Sequence, residues 1–217
     1  METSTKKNRV VLVWDAPNLD MALSAILGNK PTPSDRPNFN ALAKWLVNRA
    51  SALDATAEGT VYTNVVRGAE DRIRPWVDAL RIIGFSVFAL PKVNNSDVDD
   101  NMVAALESAI AAGDVVELLI ASGDRRAFDD VAARAIAAGI SVNYLGFREF
   151  SAGVVSIPFI DLDEVEGMLS ATLHRVSLTN LPDEGAILAP TGRLGEGNDP
   201  TRTVVSHGTA EQSVTAL

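Results

Sequence analysis

Aspartates occur where apolar segments end, at widely separated points of the chain. Asp15 directly follows the run VVLVW, and Asp124 follows VVELLIA after Ser122 and Gly123. Asp99 lies between them, in the polar stretch that comes after FSVFAL. If the apolar runs are parallel strands of one sheet, their carboxyl ends share the edge along which open α/β sheets bind ligands. Carboxylates gathered at that edge predict a site for a hard divalent cation.

A plainer explanation of these aspartates stays open. Aspartate commonly forms turns after strands and caps the helices that follow them. Asp15 and Asn18 suit such a turn, and Asp124 suits the start of a helix over Arg125–Ala138. The functional interpretation gains weight from position, because separate acidic sites fall on one predicted sheet edge.

Asp99 is the metal-ligand candidate that we select from the trio Asp97, Asp99 and Asp100. The helix dipole favours all three near a helix N-terminus, and Ser96 with Asp99 has the spacing of a capping box. Only Asp99 shares a helical stripe with the residues expected to face the sheet, which are Met102, Val103, Leu106 and Ile110. A carboxylate on that stripe is costly to bury unless it is paired or binds metal.

The elements that must position these residues alternate between strand and helix. The predicted strands are short and mostly apolar, as in a parallel sheet covered on both faces. They span Arg9–Trp14, Thr60–Val66, Phe85–Leu90, Val115–Ala121 and Ile140–Leu145. Amphipathic helices are expected over Asn40–Ser51, from Pro75 to Ile83, over Arg125–Ala138 and over Asp163–Leu173. The fold class is therefore α/β, a three-layer sandwich with a mainly parallel central sheet.

Two segments depart from this alternation. The stretch Leu19–Asn38 contains Pro31, Pro33 and Pro37, and we expect a partly helical insertion close to the site. From about Thr179 the apolar periodicity ends and Gly, Thr, Ser and Pro predominate. We therefore expect one domain over residues 8–175 and a flexible tail over residues 179–217.

Composition narrows the function classes. The chain has 217 residues, 47% of them apolar, which suffices for a full core. Because it has no cysteine, disulfides, thiolate metal sites and cysteine nucleophiles are excluded. No apolar run reaches the roughly 20 residues that span a bilayer, so we expect no membrane association and a cytoplasmic location. The net charge of −9 counts against nucleic-acid binding, although an ion would offset clustered carboxylates and basic patches can occur locally.

Basic and polar residues are candidates to complete the site. Lys92 precedes the central acidic loop, Arg67 follows the second strand, and Arg125 follows Asp124. Arginine and lysine are natural partners of phosphate oxygens, and Ser122 can hydrogen-bond a ligand or cap a helix. Ordinary solvated surface charge is an equally good explanation for each basic residue.

At these residues the chain resembles the NYN domain family of the PIN-like nuclease group. The first matching piece is DAPNL at Asp15, which is similar to the family's Asp-x-x-Asn after the opening strand. The others are Lys92 followed by Val98-Asp99, and the tripeptide Ser122-Gly123-Asp124. The similarity covers about residues 8–165 and implies a PIN-like, Rossmann-like fold.

The resemblance implies a metal-dependent endoribonuclease, or a relative of one that takes part in RNA processing. By this analogy Asp15, Asp99 and Asp124 would hold Mg²⁺ or Mn²⁺, and Asn18 would assist them. The chain departs from the family where a second acidic residue often follows Ser-Gly-Asp, because Arg126 occupies that place. A lost ligand would weaken a second metal site.

The leading hypothesis is hydrolysis of RNA phosphodiester bonds by a metal-activated water, with Lys92 or Arg125 steadying the phosphate. Single-stranded or looped RNA is the expected target, because its bases are more accessible than those of a duplex. One alternative is a catalytically degenerate module that binds RNA or a protein. Another is a phosphatase-like hydrolase of small phosphate esters. A homodimer is left open.

Overall fold

The computed structural model describes residues 7–93, 97–151, 157–170 and 173. Its centre is a sheet of 6 strands, all paired in parallel. In chain order they are β1 (Arg9–Asp15), β2 (Thr56–Val65), β3 (Ser86–Pro91), β4 (Val115–Ala121), β5 (Ser141–Gly146) and β6 (Phe159–Asp161). Their order across the sheet is β3-β2-β1-β4-β5-β6, which places β1 beside β2 and β4.

Helices cover both faces of the sheet. They are α1 (Ala16–Leu27), α2 (Phe39–Ala52), α3 (Glu70–Ile83), α4 (Asp99–Ala112) and α5 (Asp129–Ala137). Short 3-10 helices occur at Arg126–Phe128, Arg148–Phe150 and Leu162–Glu164. The predicted three-layer α/β sandwich with a parallel sheet is confirmed.

Strand alternation divides the core into two clusters. Leu12 and Trp14 of β1 pack with the residues of α1 and α2 on one side, which we call the α1–α3 face. Val11 and Val13 pack with α4 and α5 on the other, the α4–α5 face. Because successive strand side chains point to opposite faces, Asp15 continues the series of Val11 and Val13 and is directed toward α4.

The end of β1 lies at the point where the strand order reverses. The chain leaves β1 toward β2 and later returns to add β4 on the other side of β1. Trp14 of β1 pairs with Ala121 of β4, and Asp15 pairs with Tyr62 of β2. In open α/β sheets the crevice at such a switch point is where ligands bind.

The structure differs from the sequence predictions at several boundaries. β6 was not predicted, because a strand of 3 residues gives almost no periodic signal. α3 begins at Glu70, ahead of the expected start at Pro75. The expected helix Asp163–Leu173 is absent from the described part, where a 3-10 helix is followed by turns and bends to Ser170. Gly167 lies there at a φ of 72°, which interrupts a right-handed helix.

The predicted tail over residues 179–217 lies outside the described residues. Among those described, no helix combines the length and the hydrophobicity needed to span a membrane.

Candidate active site

Asp15 is buried at the end of β1, with 1% of its surface exposed. It is the N-cap of α1, and its Oδ1 accepts the backbone N–H of Asn18 at 3.1 Å. Its Oδ2 accepts the Ser122 hydroxyl at 3.1 Å, across the crevice to β4. The capping explanation therefore accounts for one oxygen of Asp15, whereas the other joins two strand ends.

Asn18 and Gly123 hold the two sides of the crevice together. The Asn18 Oδ1 accepts the backbone N–H of Gly123 at 2.8 Å. A Cβ atom added to Gly123 would lie 2.6 Å from that same oxygen, so Asn18 would have to shift and lose this hydrogen bond. The lack of a side chain at Gly123 therefore allows the close approach of Asn18.

Asp99 opens α4, opposite Asp15 on the α4–α5 face. It is half-buried, and its Oδ1 is buried without a hydrogen-bond donor among the residues that the structure describes. Asp97 and Asp100 are exposed, and the Oδ1 of Asp97 accepts the N–H of Val98 at 2.7 Å. The N-cap of α4 is Val98, which gives no side-chain cap. Asp99 therefore lies on the inward stripe, as its spacing predicts, and its burial is not explained by capping.

Asp124 is exposed in the loop after β4. Its Oδ1 accepts the backbone N–H of Arg126 at 3.1 Å, and its own N–H donates to the Ser122 hydroxyl oxygen at 3.2 Å. These bonds are those of an ordinary aspartate turn. The charge of Asp124 contributes to the raised pKa of Asp99, so the two carboxylates lie near each other.

The carboxylates raise one another's proton affinity. Burial raises the pKa of Asp15 to about 7, and the charge of Asp99 adds to this, although the bond from Asn18 opposes it. Burial also raises the pKa of Asp99 to about 6, helped by the charges of Asp97 and Asp124. In the described part of the chain, neither Asp15 nor Asp99 is paired with a basic side chain.

These donors fit a hard divalent cation in chemistry. Carboxylate oxygens are the ligands that Mg²⁺ takes, and the Asp99 Oδ1 has no partner of its own among the described residues. No set of three acidic or histidine side chains in the described ranges is arranged as a complete metal cage. Mg²⁺ commonly uses only one or two carboxylates and completes its shell with water and substrate phosphates. Asp15 and Asp99 match that open type of site.

The predicted substrate-binding residues divide into two groups. Ser122 is buried within the carboxylate cluster and donates to Asp15. Arg67 and Lys92 are exposed and follow β2 and β3, on the same edge of the sheet. The backbone N–H of Lys92 donates to the Val65 carbonyl at 2.8 Å, which fixes its position beside β2.

Arg125 is buried against two aromatic rings in the loop after β4. It is 5% exposed, and its guanidinium carbon lies 4.6 Å from the ring centre of Phe159 and 5.3 Å from that of Tyr144. Burial lowers the pKa of Arg125. Phe159 belongs to β6, so the sequence reading that missed this strand also missed the aromatic surface that holds Arg125 inward.

Sequence reasoning also missed a groove on the other side of β1. It has a volume of about 720 Å³ and lies between the ends of β1 and β2, the start of α1, the proline-rich segment around Pro33 and the start of α3. Trp14, Phe39 and Trp76 line it. The available signal was the predicted insertion Leu19–Asn38 close to the site, which supplies one wall.

Comparisons with known proteins bear on the fold. A crystal structure of a protein of unknown function from Vibrio parahaemolyticus matches at a TM-score of 0.52 and 16% identity, covering 74% of this chain and 96% of that chain. A structure named AtPrR2 in apo form matches at a TM-score of 0.29 and 16% identity, covering 64% of this chain and 48% of that one. The first supports a shared fold, whereas the second is too distant to do so. No curated protein matches significantly.

A family model identifies the chain more directly. The model of the NYN domain matches residues 9–163, from the first residue of β1 to the 3-10 helix after β6. This range includes all the strands and every residue of the carboxylate cluster described above. The chain therefore belongs to the NYN domain family, a family of PIN-like nucleases.

Proposed function

We propose that this protein is a metal-dependent endoribonuclease that hydrolyses RNA phosphodiester bonds. The observation that carries the proposal is the pair Asp15 and Asp99, two inward-facing carboxylates at the switch-point crevice that have no cationic partner among the described residues. Burying such charge is costly unless a cation joins it. PIN-like nucleases generally use divalent metals, which agrees with this donor set.

Each residue has a proposed role. Asp15 and Asp99 hold Mg²⁺ or Mn²⁺, and Asp124 faces the same ion or its bound water. Asn18 and Ser122 orient Asp15 through the hydrogen bonds at its two oxygens. When bound, the ion would lower the pKa of a coordinated water and offset negative charge on the phosphate.

Substrate contacts follow from the sheet edge. Arg67 and Lys92 are proposed to bind phosphates on the β2–β3 side of the crevice, because both are exposed there. Single-stranded or looped RNA is the proposed target, since its bases can be splayed away from the backbone. A role in cytoplasmic RNA processing is consistent with the cysteine-free composition.

Asp99 and Asp100 offer a matched test, because both lie in the first turn of α4 but only Asp99 faces inward. Labelled single-stranded RNA is incubated with Mn²⁺ and each variant. Asp99→Asn is expected to lose cleavage by at least about 100-fold, the scale of a lost electrostatic contact in a transition state. Asp100→Asn is expected to cleave like the wild type. Full cleavage by Asp99→Asn contradicts the assignment.

A binding module without catalytic activity is the second candidate. Arg126 and the lack of a complete three-ligand cage among the described residues favour it. Calorimetry with and without Mn²⁺ distinguishes this module from a nuclease, because the module is expected to bind RNA equally well in both conditions. The module is also expected to leave the RNA intact. Cleavage of small phosphate esters in preference to RNA would instead indicate a phosphatase-like hydrolase.

A further inference from the structure

The groove on the α1–α3 face has the size and lining of a small-ligand site. Its volume of about 720 Å³ lies within the range of roughly 300–1,000 Å³ that is typical of such pockets. It opens beside the end of β1, where Trp14 lines it and the next residue is Asp15. The groove and the carboxylate cluster therefore flank one strand end from opposite faces of the sheet.

Aromatic rings form its apolar wall. The ring centres of Trp14 and Phe39 are 5.3 Å apart, and those of Phe39 and Trp76 are 6.2 Å apart, both in edge-to-face geometry. Trp14 is buried, whereas Trp76 is only half-buried. Trp14 and Phe39 thus support a third ring that keeps part of its surface open to the groove. An open indole face is a stacking surface for a nucleobase.

The charge of the groove is positive although the chain is acidic. The ionisable residues that line it are Lys30, Arg36, Arg72 and Asp20. Arg36 binds Asp20 with a fork, at 2.9 Å from Nε to Oδ1 and 2.7 Å from Nη2 to Oδ2, which neutralises the acid. Lys30 and Arg72 remain exposed at the groove. This surplus favours an anionic ligand, in a chain whose net charge is −9.

We propose that this groove binds one nucleobase of a single-stranded RNA, next to the phosphate that lies at the carboxylates. The base stacks on Trp76, and the adjoining phosphate lies near Lys30 and Arg72. The inference rests on the proposed function for the identity of the strand. The groove and the carboxylates are adjacent because Trp14, which lines the groove, immediately precedes Asp15, and consecutive Cα atoms are about 3.8 Å apart.

The experiment measures RNA affinity with the ion removed by chelator, so that binding is separated from cleavage. A labelled single-stranded oligonucleotide is titrated with wild type, Trp76→Ala and Ile82→Ala, and anisotropy is recorded. Ile82 is the matched control, since it lies on the same helix and is 86% exposed. We expect Trp76→Ala to weaken binding about 5- to 100-fold, the scale of one stacked base, and Ile82→Ala to bind like the wild type.

A series of oligonucleotides with a single abasic position locates the stacked base. At one position, we expect removal of the base to weaken binding to the wild type as much as Trp76→Ala weakens binding to intact RNA. Removal of the same base should not weaken binding to the Trp76→Ala variant any further. This position is expected within one or two nucleotides of any cleavage point. The proposal is overturned if, at every position, the loss of affinity from the abasic site adds in full to the loss from Trp76→Ala. Unchanged affinity in Trp76→Ala also overturns it, as does quenching of tryptophan fluorescence by an acidic peptide but not by RNA.

Further variants keep the test decisive if Trp76→Ala does not fold. Arg72→Ala is compared with Arg81→Ala, which removes an exposed arginine from the same helix but away from the groove. We expect only Arg72→Ala to weaken binding and to reduce its salt dependence. Groove binding without any cleavage of RNA by the wild type would reject the proposed nuclease and keep this inference. Cleavage of RNA by the wild type, together with unchanged RNA affinity in Trp76→Ala and Arg72→Ala, would reject this inference and keep the proposed nuclease.

Discussion

Two buried carboxylates lie at opposite ends of the central sheet, and their surroundings differ. Glu117, near the start of β4, is 2% exposed, and Asp15, at the end of β1, is 1% exposed. Glu117 accepts two bonds from Arg49, at 2.6 and 2.7 Å, and a third from the Asn143 amide at 2.7 Å. Among the described residues, Asp15 accepts from a backbone N–H and a hydroxyl and from no cation.

This difference separates an acid paired with arginine from one for which we propose a role in binding an ion. Breaking a buried ion pair is costly because the remaining charge is stranded, which is the risk that Arg49 removes for Glu117. Asp15 has no arginine partner among the described residues, so burial and the charge of Asp99 both disfavour its ionised form and raise its pKa to about 7. Equal burial therefore does not indicate equal roles. Among the described residues, Asp15 has no basic side chain in the place that Arg49 takes beside Glu117. We therefore expect a metal ion to bind at the end of the sheet that holds Asp15.

The largest expected effect comes from breaking the ion pair between Arg49 and Glu117. Arg49→Ala leaves Glu117 buried with only Asn143 as a side-chain donor, and we expect the free energy of unfolding to fall by about 3 kcal/mol. Urea denaturation monitored by circular dichroism measures it. Lys44→Ala, on the same helix but exposed, is the control and should change little. A loss below about 1 kcal/mol would show that Glu117 relaxes to water.

The second prediction concerns catalysis at the unsatisfied end. Asp15→Asn is expected to lower kcat/KM for RNA cleavage by about 100- to 1,000-fold, because a charge facing the ion is lost. Glu117→Gln is expected to leave kcat/KM of the folded protein unchanged, since it lies at the other end of the sheet. Assays with Mn²⁺ on both variants measure the contrast. Similar losses in both would remove the distinction between the two acids.

The third prediction is the pH dependence of stability without metal. The folded state keeps a proton on Asp15 up to about pH 7, whereas the unfolded chain releases it near pH 4. The folded state thus binds more protons in this interval, so the free energy of unfolding falls as the pH rises, by on the order of 3 kcal/mol.

The control for this dependence is Asp15→Asn, whose unfolding free energy should fall less steeply over the same interval. A smaller slope remains because the pKa of Asp99 is also raised, to about 6. Asp100→Asn should keep the wild-type slope. Stability that rises between pH 4 and pH 7 in the wild type would contradict the burial of an unpaired acid at this site.

The smallest expected effect is stabilisation by the ion. Mg²⁺ at ten times its dissociation constant should raise the free energy of unfolding by about 1.4 kcal/mol. Thermal denaturation at increasing Mg²⁺ concentration measures the shift. We expect it to disappear in Asp99→Asn and to persist in Asp100→Asn. A shift that is equal in both variants would place the ion elsewhere.

Much of the sheet was predictable, because parallel strands buried on both faces are continuous apolar runs. The inward direction of Asp99 was predictable for a similar reason, since its helical stripe continues through Met102 and Leu106, which are buried. β6 was not, because it is short, and the position of Arg125 depends on it. The sequence placed Arg125 by its neighbour Asp124, whereas its environment comes from Tyr144 and Phe159.

The groove shows a second limit of sequence reasoning. Trp14 was read as one more apolar strand residue, because its face of the sheet and its neighbours on α2 and α3 are set only by tertiary packing. The clamp between Asn18 and Gly123 was equally hidden, since the two residues are 105 positions apart. Periodicity identifies which residues are inward, but not which distant residues meet them.

The alternation of Trp14 and Asp15 on β1 has a consequence for how such a protein can change over generations. Because the two side chains leave the backbone toward opposite faces of the sheet, a substitution at Asp15 leaves the core contacts of Trp14 in place. With the roles proposed above for the carboxylates and the groove, one substitution at Asp15 would convert a nuclease into a protein that binds RNA without cleaving it.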